Sequence, residues 1–138
     1  NVGLAVDTEA GLIVPVVNNV ENKSVLEIAD EISRLVELAK TRKISLDDLR
    51  GGTISITNYG SFGCVYGRPL ILPPQVAIVG FGRIHKAPIV KNDQVVPGWV
   101  LPVSLPFDHR VLDGATASSF VTYYLSLLHS PRKLLVFI

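Results

Sequence analysis

Methionine is missing altogether from this sequence, and cysteine occurs once, at Cys64. A lone thiol excludes an internal disulfide framework and a cysteine-rich metal site, and it fits a reducing compartment. A chain of 138 residues that opens on Asn1 and carries no methionine reads as a piece of a longer polypeptide whose N-terminal part lies outside it. Charge is scarce too: Asp, Glu, Lys and Arg make up 18% of the residues, against roughly 25% in average domains. Apolar residues reach 48%. So short a chain has much surface for its volume, and few charges then imply hidden surface, in an oligomer or against a further segment. A soluble monomer with a large core is the alternative. The net charge is +1 and the basic residues are scattered. No basic run is interleaved with aromatics, which leaves nucleic-acid binding without support. No secretory signal opens the chain. Gly, Pro, Ser and Thr break the long uncharged stretches, so no membrane span is expected.

What is present falls into short apolar runs and two helical patterns. Residues 1–6 and 12–17 predict a hairpin across the turn at 7–11, and Pro15 places the second run at an edge or a bulge. Ser24 and Glu27 have the spacing of a capping box. Apolar Val25, Ile28, Ala29, Ile32, Leu35, Val36 and Ala39 follow at helical spacing, opposite Asp30, Glu31, Arg34 and Glu37. Lys40, Arg42 and Lys43 suit the C-terminal end of that helix; attraction of an anionic ligand is the other reading. Residues 45–49 predict a capped helical turn, ended by Gly51 and Gly52. Residues 53–58 alternate Thr or Ser with Ile, which predicts a strand with one apolar and one hydroxyl face. A loop at 59–63 and an irregular stretch at 63–74 precede a buried strand at 76–79. A hairpin is predicted with arms at 84–90 and 94–97 around Lys91, Asn92 and Asp93, and a further strand at 100–105. A helix at 115–129 stops at Ser130 and Pro131, and the apolar tail at 134–138 predicts a last buried strand. Strands and two substantial helices in this order indicate α/β layering with a mixed sheet.

Of three histidines, His85 sits in the predicted hairpin and reads as surface polarity, and His129 suits a helix C-terminus. Neither has metal-ligand spacing to another His, Cys or acid. His109 differs. It lies in residues 107–114 (FDHRVLDG), between the strand at 100–105 and the last helix, with Asp113 four residues on and Gly114 next. Strand-to-helix loops are where sites in α/β folds are built. His109 is therefore a candidate general base; the alternative is a hydrogen-bonded structural histidine with Asp113 capping the helix. Thr57 and Asn58 form a second cluster, at the end of a Thr/Ser-rich strand before a glycine loop. They can present a donor to a ligand, or be ordinary strand polarity and a turn-forming Asn.

Three segments together carry a family resemblance: residues 7–16 (DTEAGLIVPV), 51–61 (GGTISITNYGS) and 108–115 (DHRVLDGA), with 73–80 (PPQVAIVG) between the last two. In this order they resemble the C-terminal part of the catalytic domain of the dihydrolipoyl acyltransferases, the E2 components of 2-oxo acid dehydrogenase complexes. The resemblance implies a chloramphenicol-acetyltransferase-like α/β fold, a two-layer sandwich with a mixed β-sheet packed with helices. It implies that residues 1–138 are the C-terminal portion of one catalytic domain. The first part of that domain, a lipoyl domain and a peripheral-subunit-binding domain would lie before Asn1. It further implies homotrimers that assemble into a larger core, with the site between neighbouring subunits. The E1 and E3 components would be held through the N-terminal domains, with no nucleic acid and no membrane as partners.

The same resemblance implies the chemistry. Coenzyme A is a substrate, the lipoyl group rides on a separate domain, and no metal is used. His109 would be the general base toward the attacking thiol; an ordinary imidazole at pKa ~6.5 is a workable partner for a thiol at ~8.5. Thr57, where many members have Ser, would donate to the oxyanion of the tetrahedral intermediate. Asp113 would support the His109 segment through an ion pair, and Asn58 and Ser61 would contact the cofactor. The pattern at 57–61 with 113–115 resembles pyruvate or branched-chain members more than 2-oxoglutarate members. An inactive core protein and a free-standing small-molecule acetyltransferase are the competing functions. The expected location is a prokaryotic cytoplasm or, in a eukaryote, the mitochondrial matrix.

Overall fold

A computed structural model describes residues 1–130 and Arg132. A five-stranded sheet forms its centre. Its strands are β1 (Val2–Leu4), β4 (Val16–Val17), β5 (Ile54–Asn58), β6 (Ile78–Phe81) and β9 (Val103–Ser104), in the spatial order β4-β1-β5-β6-β9. The central pairs β1–β5 and β5–β6 are parallel, and the outer pairs β1–β4 and β6–β9 are antiparallel. The sheet is thus mixed, as the order of elements predicts.

The predicted N-terminal hairpin exists but divides its strands. β2 (Val6–Thr8) pairs with β3 (Gly11–Ile13), so the turn narrows to Glu9 and Ala10. Gly11 takes φ +110° there, a value that favours glycine. Pro15 falls in the break before β4, at the sheet edge where its missing N–H costs nothing, and its carbonyl accepts from the Leu4 N–H at 2.8 Å.

Helix α1 (Val25–Lys40) starts at the predicted capping box: the Glu27 N–H donates to Ser24 Oγ at 3.2 Å, and the Ser24 N–H donates to Glu27 Oε2 at 2.7 Å. Its inner face is Ile28, Ile32, Leu35, Val36 and Ala39, of which Leu35 and Ala39 are wholly buried; Val25 and Ala29 stay exposed. The turn at Asp47–Leu49 is capped by Ser45 and Asp48, and Arg34 bridges Glu31 and Asp48 from the helix surface.

Strand β5 alternates Ile with Ser or Thr as predicted, and its hydroxyl face is packed at Ser55. Ser55 is 1% exposed and donates to Gln75 Oε1 at 2.6 Å, which satisfies both groups inside the core. The strand predicted at 76–79 begins later, at Ile78, since Ala77 bridges Phe107 instead. The second hairpin is β7 (His85–Lys91) with β8 (Gln94–Val100). Asn92 and Asp93 both take positive φ, the geometry of a two-residue turn matched to strand twist. β8 absorbs Trp99 and Val100, and the strand expected at 100–105 shrinks to β9. Helix α2 (Gly114–His129) covers the predicted range and buries only Ala117 fully. The strand expected at 134–138 lies outside the described residues.

Candidate active site

The His109 segment is tied to the sheet before it turns. Phe107 bridges Ala77, and the Asp108 N–H donates to the Val76 carbonyl at 2.8 Å. The Asp108 carbonyl then accepts from the N–H groups of Val111 and Leu112, both at 3.0 Å. These bonds close a tight turn around residues 109 and 110, so His109 stands exposed at its crest. The Phe107 ring lies 5.4 Å from the imidazole, centroid to centroid, and tilted 37° to it. Arg110 folds back on Asp108 through Nε, Nη2 and its own N–H, and this holds the Asp108 carboxyl down at about 2. An exposed ion pair stabilises little; its consequence here is a fixed turn.

Asp113 ends that turn and begins α2. Its carboxylate accepts from the Thr116 N–H at 2.7 Å. That backbone bond is the main reason its pKa is lowered, and the charge of nearby His109 adds to the effect. The expected ion pair is therefore not made by Asp113 among the described residues: it is Asp108 that pairs, with Arg110. Asp113 supports the segment as a helix cap.

Thr57 is half-buried on β5, opposite Gly80 in the register with β6. Asn58 follows it out of the strand. Its Oδ1 accepts from the Gly60 N–H at 3.1 Å, and its carbonyl accepts from the Ser61 hydroxyl at 2.9 Å. Asn58 and Ser61 thus meet in the 3-10 turn Tyr59–Phe62 and line one depression beyond the ends of the parallel strands. Asn58 and Ser61 share that depression, and His109 lines another, with Arg68 and Ser104, whose lining does not include Thr57.

Arg68 and Ser104 carry no motif in the sequence. Ser104 is placed in the His109 depression by the pairing of β9 with β6, opposite Gly80, and the Tyr59 hydroxyl lies 3.1 Å from Ser104 Oγ and donates to the Gly67 carbonyl at 3.4 Å. His85 lies in the hairpin and His129 at the C-terminal end of α2, as expected, each with Nδ1 against a backbone carbonyl, of Arg83 and Leu125 respectively. Among the described residues no three His, Cys, Asp or Glu gather as metal ligands.

The profile of the 2-oxoacid dehydrogenases acyltransferase (catalytic domain) family matches residues 1–136. The chain belongs to this family. It is similar to the dihydrolipoyllysine-residue acetyltransferase component of the pyruvate dehydrogenase complex of Staphylococcus aureus, 44% identical over 136 residues. The match takes in 99% of this chain and 32% of that protein. Among solved structures it resembles dihydrolipoamide acetyltransferase of Azotobacter vinelandii, studied for the role of a serine, a histidine and an asparagine in its catalytic mechanism. The TM-score is 0.92 and the identity 38%, over 97% of this chain and 55% of that one. It also resembles the cubic core of the pyruvate dehydrogenase multienzyme complex, with TM-score 0.92, 37% identity and the same coverage. The acyltransferase-family chain therefore has the expected chloramphenicol-acetyltransferase-like fold, and it spans about a third of the curated relative's length and about half of each solved chain.

Proposed function

We propose that this chain is the C-terminal portion of an acyltransferase catalytic domain that moves an acyl group between a lipoyl arm and coenzyme A. The observation that carries the proposal is one of spacing. The serine, histidine and asparagine studied in the Azotobacter enzyme stand at the same sequence separations from one another as Thr57, His109 and Asp113. The geometry fits those roles. His109 is exposed on a turn fixed at both ends, and a hydroxyl at Thr57 keeps the donor that serine would offer.

In the proposed reaction, the His109 imidazole takes the proton from the attacking thiol, of coenzyme A or of dihydrolipoamide according to direction. The thiolate forms a C–S bond to the thioester carbonyl carbon, and the carbonyl oxygen becomes the oxyanion that Thr57 meets with its hydroxyl. Collapse of the intermediate breaks the old C–S bond, and the departing thiolate takes the proton from the imidazolium. Asp113 moves no proton. In this reading Thr57 and His109 meet between two subunits, in a homotrimer that builds a larger core; the separate depressions at Asn58 and at His109 support it. The lipoyl arm and the segments that hold E1 and E3 belong to the rest of the protein, and no metal takes part. Pyruvate-type chemistry is favoured by the Staphylococcus relative; asparagine is replaced by Asp113 here, which alters the charge beside the base but keeps a helix cap. The expected location is the cytoplasm of a prokaryote or a mitochondrial matrix.

The test is an acyltransferase assay on the complete protein with acetyl-, isobutyryl- and succinyl-coenzyme A against dihydrolipoamide. Acetyl or isobutyryl transfer is expected. No turnover with any of the three donors removes the enzyme reading and leaves an inactive core protein.

A further inference from the structure

We infer that Ser104 is a further substrate-contacting residue of this reaction: its hydroxyl, held by Tyr59, donates a hydrogen bond to the sulfur of the thiol that His109 deprotonates. This role rests on the acyl-transfer reading and adds a second hydroxyl to the one proposed at Thr57.

The hydroxyl face of β5 continues across the sheet. Thr57 stands opposite Gly80 of β6, and Gly80 stands opposite Ser104 of β9. Residues paired across adjacent strands point to the same face, so Thr57, Gly80 and Ser104 form one row. A Cβ on Gly80 would lie 2.7 Å from Ser104 Oγ and 2.7 Å from the Tyr59 ring, so the ring occupies the gap that the glycine leaves. Gly67 lies against the same ring, where a Cβ would come within 2.9 Å of it. Tyr59 therefore reaches from the turn after β5, over β6, to Ser104.

Ser104 also belongs to the depression around His109. The other residues there are Arg68, Leu105, Pro106 and Phe107, so Ser104 supplies its one hydroxyl. It shares a row with Thr57 and a depression with His109. β9 is hydrogen-bonded to β6, so this hydroxyl is carried by the sheet, and it is half-buried. Leu105, Pro106 and Phe107 give it apolar surroundings, in which a hydrogen bond to a charge is stronger than in water.

The protons can be accounted for. The Tyr59 hydroxyl has one proton and two acceptors in reach, the Gly67 carbonyl at 3.4 Å and Ser104 Oγ at 3.1 Å. The first is at the long end of the hydrogen-bond range, so little is lost when that proton turns to Ser104. Ser104 then accepts from Tyr59, and its own proton is left for the depression. As His109 takes the thiol proton, the sulfur gains negative charge and becomes a far better acceptor. The bond strengthens as the thiolate forms, so it lowers the barrier more than it tightens substrate binding. Coenzyme A and dihydrolipoamide share that sulfur, and the contact serves both directions.

The test is steady-state kinetics of the complete protein and its variants with the acyl-coenzyme A it turns over fastest and dihydrolipoamide. Loss of a hydrogen bond to a charged group predicts a kcat about ten- to a hundredfold lower in Ser104→Ala, with KM little changed. Ser104→Thr keeps the hydroxyl and should recover most of the rate. Tyr59→Phe removes only the partner of that hydroxyl, and its kcat should fall by a smaller factor. The Ser104→Ala/Tyr59→Phe double variant should be no slower than Ser104→Ala alone, because residues acting through one bond do not add. Ser104 is out of the mechanism if Ser104→Ala leaves kcat unchanged, if Ser104→Thr is as slow as Ser104→Ala, or if the loss lies wholly in KM. Should Ser104→Ala fail to assemble, Tyr59→Phe decides: an unchanged kcat in an intact assembly overturns the role. A wild type that turns over no acyl donor at all fails the acyl-transfer reading instead.

Discussion

At the scale of single residues, His109 and Thr57 are asked for different kinds of effect. His109→Ala removes the proton acceptor, and turnover should fall by about 10²–10⁴, while the sedimentation of the complete protein stays as it was. An assembly that falls apart would instead make His109 a structural residue. Thr57→Ala removes one oxyanion donor, and kcat should drop about 10²–10³-fold with KM little changed. Thr57→Ser keeps the hydroxyl and frees χ1 from the branching methyl, so it should retain most of the rate. An unchanged kcat in Thr57→Ala takes the hydroxyl out of the mechanism. The sequence offers these residues as candidates because strand ends and glycine turns leave local marks, and Thr57 takes its role from the family resemblance. What packs beside each of them could not be read. Thr57 reaches its place through β5 and His109 through the bridge from Phe107 to Ala77, and neither pairing has a local signature. Ser104 carries no local mark for the same reason, since its place depends on the pairing of β9 with β6.

At the scale of elements, local chemistry predicted starts and stops well. The capping box of α1, the Asn92–Asp93 turn and the Asp113 cap of α2 all depend on side chains within a few residues of one another. Strand ends in the second half were harder. β8 runs past Pro97 and Gly98 to Val100 because β7 offers a partner over its whole length, and a cross-strand partner cannot be seen from one strand alone. The turn that carries His109 also has a pH signature. The Asp108 and Asp113 carboxyls are both held below their ordinary range, by Arg110 and by the Thr116 N–H respectively. Groups with a depressed folded pKa contribute stability above their unfolded value, near pH ~4, and lose it as pH falls through the folded value. Amide exchange at Thr116 should therefore stay slow down to about pH 4 and quicken below it. Asp113→Asn keeps an N-cap acceptor without a titrating group, and its exchange should show no such step. A step that persists in Asp113→Asn would place the cause elsewhere.

At the scale of the whole molecule, the low charge content and the exposed area describe one property. A compact monomer of 15.0 kDa exposes about 7,000 Å², whereas this chain exposes 9718 Å². Large apolar side chains are part of what is exposed: Tyr66 is 79% exposed, Trp99 69% and Leu70 89%. On α2 only Ala117 is fully buried, and Phe120 borders an apolar depression against Ile54, Val76 and Ala77. A sheet with one well-packed helix and one half-covered helix has too little core for its surface. If the rest of a catalytic domain and neighbouring subunits supply the cover, residues 1–138 expressed alone should bind a hydrophobic dye, self-associate and melt without a cooperative transition. The complete protein should be dye-silent and sediment as a multiple of three chains. A 138-residue chain that is monodisperse at 15.0 kDa, silent to the dye and sharp in its melt would mean that the exposed apolar surface needs no cover, and the intersubunit site would lose its physical reason. Dye binding that persists in the complete protein would instead place the uncovered face outside the core, as a surface for some other partner.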